Sequence, residues 1–217
     1  MKLYKYWFLI PTIFVVIFVV IFFLSRITNQ ESLLSPAANI IFPKSSFSLE
    51  NAPSESLKGK ITNMTGEISW QSRTATESAK ISSSIAIQQG EKLSTGQASR
   101  LSLVFPDAGS VDFSENTEIE IIQTLPANLV FSQTSGIGEY TKTGNFPVSI
   151  RAKNFLVEID GDLIVSFDPK RPVVILTLKS GKAVVAYNDL RFVSHEVTLV
   201  PGKIYTFNED TRKGVLK

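Results

Sequence analysis

Beyond Lys60 the chain alternates between apolar and polar positions. Leu101, Leu103 and Phe105 interleave with Arg100 and Ser102, Ile119 and Ile121 with Glu118 and Glu120, and Phe155, Val157 and Ile159 with Glu158 and Asp160. A period of two sends apolar side chains to one face of a strand and charged ones to the other, as in a sheet with one solvated face. No stretch after Lys60 keeps a 3.6-residue apolar spacing over three turns. Residues 173–178 form a nearly unbroken apolar run, which predicts a strand covered on both faces. Lys179-Ser180-Gly181-Lys182 follows, and there a glycine with positive φ predicts a tight hairpin leading into residues 183–187. Gly66, Gly90, Gly96, Gly109, Gly144, Gly161 and Gly202 mark further turns. The pattern predicts an all-β domain over residues 61–217, a two-layer sandwich or roll of short antiparallel strands.

The first sixty residues follow a different rule. Residues 6–24 carry no charge, and Thr12 is their sole hydroxyl residue apart from Tyr6. As a helix they would be roughly 28 Å long, close to the hydrocarbon thickness of a bilayer. A single isolated span must satisfy its backbone internally, so a transmembrane α-helix is predicted. Pro11 falls in its first turns, where a missing N–H costs least. Lys2 and Lys5 precede the span and Tyr6 and Trp7 sit at its edge, which predicts a cytoplasmic amino terminus and an extracytoplasmic domain. Ser25-Arg26-Ile27-Thr28 lacks a small-x-small cleavage site, so the segment reads as a signal anchor in the cytoplasmic membrane. The expected plan is a cytoplasmic stub (1–5), the span (6–24), a flexible stalk (25–60) and the domain (61–217). Within the Ser-, Asn- and Pro-containing stalk, Ile40-Ile41-Phe42 is an apolar patch suited to docking on the domain or on the membrane.

Charge narrows the partners. Of the 22 basic side chains, Lys2, Lys5 and Arg26 flank the span, leaving 19 against 20 acidic ones beyond it. A near-neutral domain has no electrostatic footprint for nucleic acid. Cysteine is absent, which excludes disulfides, thiol nucleophiles and thiolate metal sites.

The order of turns and strands resembles the FecR protein domain. Gly66-Glu67-Ile68 looks like its opening strand, and Gly90-Glu91-Lys92-Leu93-Ser94-Thr95-Gly96 resembles its "G-D-x-L-x-T-G" segment. Ser99 to Leu103 is similar to "S-x-A-x-L", and Asp107, Gly109, Ser110 and Val111 resemble "D-G-S-x-V" with Ala108 inserted. Thr117-Glu118-Ile119-Glu120-Ile121 looks like "T-x-L-x-I". Val157-Glu158-Ile159-Asp160-Gly161 resembles "V-x-V-x-G-T-x-F", with Asp162 and Ile164 in place of its threonine and phenylalanine. Leu178 to Ala183 resembles a "V-x-x-G-x-V" hairpin, and Leu199-Val200-Pro201-Gly202-Lys203 the closing "L-x-x-G-Q". The resemblance spans about residues 61–207 and implies the fold and an extracytoplasmic placement. Anti-sigma activity is not expected to carry over, since five residues precede the span where the regulator has a sigma-factor-binding segment.

Candidate chemistry is sparse. His195, the one histidine, lies in Ser194-His195-Glu196, and neighbours on a strand point to opposite faces, so these three cannot form a triad among themselves. It reads as a surface or turn residue. Glu158, Asp160, Asp162 and Asp168 form the densest carboxylate group. The first three share one strand face, which admits a weak calcium site or plain solvated residues, while the placement of Gly161 is not that of an EF-hand. Gly136-Ile137-Gly138 begins a dinucleotide-like run, but Thr141 replaces the third glycine and no helix follows, so a hairpin or bulge is expected. Trp70, Tyr140, Tyr187 and Tyr205 are either core packing or a ligand-stacking platform.

No catalytic, cofactor or metal site is singled out. The reading is a non-enzymatic extracytoplasmic module that binds an envelope protein, for sensing or scaffolding. The alternative is a carbohydrate- or cell-wall-binding module, which requires two or more of Trp70, Tyr140 and Tyr187 on one solvent face.

Overall fold

The computed structural model describes residues 55–125 and 127–217. The expected stub, span and most of the stalk, with Ile40-Ile41-Phe42, lie outside the described residues. No helix among the described residues is long and apolar enough to cross a membrane.

The described chain is all β. Its strands are β1 (Gly59–Thr65), β2 (Ile68–Gln71), β3 (Ala79–Ile81), β4 (Ala86–Ile87), β5 (Lys92–Thr95), β6 (Arg100–Phe105), β7 (Gly109–Phe113) and β8 (Glu118–Leu125). These are followed by β9 (Asn128–Lys142), β10 (Val148–Ala152), β11 (Phe155–Asp168), β12 (Val173–Asn188), β13 (Ser194–Leu199), β14 (Ile204–Asn208) and β15 (Lys213–Leu216). All belong to one open, mixed sheet of 15 strands. Expected alternation holds where it was clearest: Leu101, Leu103, Phe105, Ile119, Ile121, Phe155, Val157 and Ile159 are all buried.

The expectation of short antiparallel strands in a two-layer sandwich or roll is corrected in three respects. β9, β11 and β12 run 15, 14 and 16 residues. β10 pairs with β9 in parallel, Val148 beside Leu129. The predicted hairpin at Lys179-Ser180-Gly181-Lys182 does not exist, because β12 continues through it as one strand, with Gly181 opposite Gly161 of β11.

The physical reason is that several glycines bend strands instead of ending them. From Leu129 to Lys142 a straight strand would extend about 43 Å, yet the six steps from Lys142 to Val148 span at most about 22 Å. β9 therefore has to fold back on itself. It does so at Gly136, whose φ is +80°, and there a Cβ would collide with Thr117. β11 and β12 bend together where Gly161 faces Gly181 and the register slips by one residue after Asp162.

Each long strand is consequently shared by two ladders. One leaf runs β4-β1-β6-β7, then the second half of β9 and of β11, then the first half of β12, β14 and β15. The other runs β3-β2-β5-β8, then the first half of β9, β10, the first half of β11, the second half of β12 and β13. Their inner faces meet: Phe105 packs edge-on to Phe131 at 5.5 Å, and Phe155 to Phe207 at 5.2 Å. The core is one apolar cluster.

Inside the bend of β9, Gln133 acts as a staple. Its Oε1 accepts from the Tyr140 hydroxyl (2.9 Å), and its Nε2 donates to the carbonyls of Gly136 (2.9 Å) and Val165 (3.2 Å). Both side chains are fully buried, and burial pushes the Tyr140 phenol far above its ordinary range.

Candidate interaction surface

The motif residues that carry the family resemblance hold turns together. Thr95 Oγ1 donates to the Ser114 carbonyl (2.6 Å) and accepts from Thr117 N (2.9 Å). Ser99 Oγ accepts from Glu67 N (2.8 Å). All three hydroxyl residues are buried, so this motif marks the fold and forms no surface site. The inserted Ala108 is itself buried, and its carbonyl accepts from Thr143 and Gly144.

His195 acquires an acidic partner that sequence reasoning missed. Its Nε2 lies 3.0 Å from Asp189 Oδ2, and its ring stacks on Tyr187 at 5.1 Å. The hydrogen bond from His195 and those from the backbone of Val193 and Arg191 hold the Asp189 carboxyl below its usual range. The signal in the sequence is an aspartate six residues before a histidine, across a turn, and not among its immediate neighbours. Ser194 Oγ donates to Asn188 Oδ1 (2.8 Å) and not to the imidazole, so the pair has no nucleophile aligned with it.

The carboxylates are not gathered. Asp160 pairs with Lys142 (2.8 Å), which lowers its pKa; Asp162 accepts from Ser180 (2.6 Å); Asp168 accepts from the backbone of Lys170. Glu158 faces solvent on the near side of the Gly161 bend. No group of three metal-ligating side chains occurs among the described residues. The aromatic groove fails its own condition as well: Tyr140 and Tyr205 are in the core, and Trp70 and Tyr187 pack against it.

The structure opens a surface that the sequence hid. Residues 173–178 were expected to be covered on both faces, but only Val174, Leu176 and Leu178 are buried; Ile175 is 40% exposed. Register places Ile137, Ser166, Ile175, Thr206 and Val215 in one row across β9, β11, β12, β14 and β15. The next row is Glu139, Ile164, Thr177 and Ile204. Ile137, Ile175, Ile204 and Val215 are exposed, and the hydroxyl residues between them are short. The outer face of this leaf is therefore an apolar strip that ends at the open edge of β15. Beside it, Asn63, Arg100, Ser102 and Asp112 line a polar groove of about 390 Å³.

No protein-family model matches the chain, and no curated protein matches it by sequence. Its fold is shared with two crystal structures of a candidate anti-sigma factor from Parabacteroides distasonis ATCC 8503, each at a TM-score of 0.51 and 13% identity. The match covers 58% of this chain and 58% of that one, so the chain spans little more than half the length of the protein it resembles.

Proposed function

We propose that this chain is a FecR-like, non-catalytic regulatory module, anchored by residues 6–24 with its domain outside the cytoplasmic membrane, and that it works by binding a protein partner. The observation that carries the reading is the apolar strip of Ile137, Ile175, Ile204 and Val215 on a sheet face that nothing in the described chain covers. Apolar side chains in register, separated by Ser and Thr and bordered by a polar groove, match the core-and-rim composition of protein interfaces. The adjoining β15 edge offers backbone groups to an added strand. The shared fold with a candidate anti-sigma factor supports a regulatory role.

Site-specific photocrosslinking tests it. A crosslinker at position 175 or 215 in the full chain in membranes is expected to trap one protein partner. Ile204→Asp, which leaves the core intact, is expected to abolish that adduct. Equal yields at position 175 and at the exposed turn residue Gln97 would refute the surface.

A further inference from the structure

Among the described residues, six buried side-chain polar atoms have no hydrogen-bond partner, and four of them surround the loop of residues 88–91 between β4 and β5. Buried polar groups are nearly always paired, so a cluster of unpaired ones calls for a cause. Ser56 Oγ and Thr124 Oγ1 lie on one side of the loop. There Leu57 N donates to the Thr124 carbonyl (2.7 Å), and Thr124 N donates to Gln89 Oε1 (3.3 Å). Trp70 Nε1 and Arg73 Nη1 lie on the other side. The Arg73 side chain packs over Gly90 so closely that a Cβ there would sit 2.9 Å from its Cγ.

Trp70 and Arg73 line an open cavity of about 430 Å³ between the last strands of the two leaves, β3 and β4. Ile81 and Ile85 complete its apolar wall, and Glu91 is its one carboxylate. Glu91 accepts from Gln88 N (2.9 Å), and Arg73 forms no ion pair among the described residues. The cavity therefore offers apolar walls and two donors in want of acceptors. The described chain starts beside it. β1 pairs antiparallel with β4, Gly59 with Ile87 and Lys60 with Ala86, so the chain ahead of β1 runs back along residues 88 and 89. What precedes it is Phe47-Ser48-Leu49-Glu50-Asn51-Ala52-Pro53-Ser54, with two large apolar residues at alternate positions and one charge, Glu50. Glu50 is six residues ahead of Ser56, a reach of at most about 21 Å.

We propose that residues 47–54 form a strap across this cavity, with Leu49 entering between Trp70, Ile81 and Ile85 and the Glu50 carboxylate pairing with the Arg73 guanidinium. Backbone carbonyls of the strap answer the indole N–H, and its last residues bring polar groups to Ser56 and Thr124. A guanidinium fits a carboxylate with two parallel hydrogen bonds, and a segment already joined to the domain binds at a high effective concentration. The strap starts the folded unit near Phe47, fixes the direction in which the chain leaves the domain, and shields the edges of β3 and β4 from other chains. The cavity lies at the opposite end of the leaves from β15 and its apolar strip, so this proposal and the protein-partner reading fail separately.

The chain has no cysteine, so paired cysteine substitutions report proximity. In the full chain in lipid nanodiscs, Leu49→Cys with Ile85→Cys should close an intramolecular disulfide under mild oxidation about fivefold faster or more than Leu49→Cys with Val104→Cys. Val104 is exposed and pairs with Lys60, so it tests a similar reach on the outer face of the first leaf. Glu50→Arg added to the first pair should cut its rate by about half or more, and Arg73→Glu added to that variant should restore it. Equal rates at positions 85 and 104, or a rate that Glu50→Arg leaves unchanged, would overturn the proposal. So would the absence of recovery in a charge-swapped chain whose circular dichroism matches the parent. A disulfide-linked dimer in place of the intramolecular ring would also overturn it, assigning the cavity to a second copy of the chain.

Discussion

If Gln133 holds the fold-back of β9, removing it should cost more than an ordinary core substitution of its size. Gln133→Leu removes three hydrogen bonds, each with a net contribution of about 0.5–1.5 kcal/mol. It also leaves the Tyr140 hydroxyl fully buried without an acceptor, a further penalty of about 1–3 kcal/mol. Leucine recovers part of this by burying apolar surface, so the expected loss is about 3 kcal/mol. Tyr140→Phe takes away one donor and leaves Gln133 Oε1 unpartnered, for about 1–2 kcal/mol. The double variant removes both members of that pair, and its cost should fall short of the sum of the singles by about 1 kcal/mol or more. Urea unfolding of the four proteins followed by circular dichroism measures every corner of the cycle. A Gln133→Leu loss within about 0.5 kcal/mol of zero, or a strictly additive double variant, would show that the bend stands without its staple.

Gly136→Ala should destabilise by about 2 kcal/mol or more in the same assay, since it combines φ +80° with a clash against Thr117. Ser99→Ala should cost about 1–3 kcal/mol by leaving Glu67 N–H without its acceptor. Glu209 is 4% exposed, and burial raises its pKa, outweighing the opposing pull of Asn154, Lys153 and Arg212. A raised folded-state pKa means its contribution is intact below the unfolded value near 4.5 and lost as pH rises through the folded one. Glu209→Gln should therefore match the parent in melting temperature near pH 4 and exceed it increasingly toward pH 8, by about 2–4 °C for each kcal/mol relieved. A constant difference across that range would contradict the assignment. Asp160 and Asp189 have the opposite sign: their pKa values are lowered, so what they contribute is present above about pH 4 and disappears as acid protonates them.

Alternation in β6, β8 and the first half of β11 was legible because a two-residue period has one structural reading when one face is buried and the other wet. Glycine was ambiguous. Gly66, Gly90 and Gly202 do lie in turns with positive φ, and Gly136, Gly161 and Gly181 also have positive φ yet lie inside strands. A local sequence cannot tell a chain that reverses at glycine from one that bends there, because the backbone requirement is the same; which occurs depends on what pairs on either side. For Gly181 the partner is Gly161, twenty residues away, so the information was present but not local. The Asp189–His195 pair was hidden for the same reason, since it depends on a turn that brings residue i and residue i+6 together.

The apolar run at residues 173–178 shows how a misread strand hides an exposed apolar face. Continuous hydrophobicity says that both faces want to leave water, and the fold satisfies only the inner one. Ile175 and its row partners remain in contact with water, which at about 25 cal/mol per Å² is a standing cost unless something covers them. Sharing β12 between leaves explains why the chain does not cover them itself. The half of β12 beyond Gly181 is committed to the second leaf, and the chain that follows returns as β14 and β15 beside the first half, extending the sheet instead of crossing over it. An open sheet widened at its edge gains backbone pairing while leaving its outer face bare. On the proposed reading, that face is where a protein partner would supply the burial that the domain itself does not.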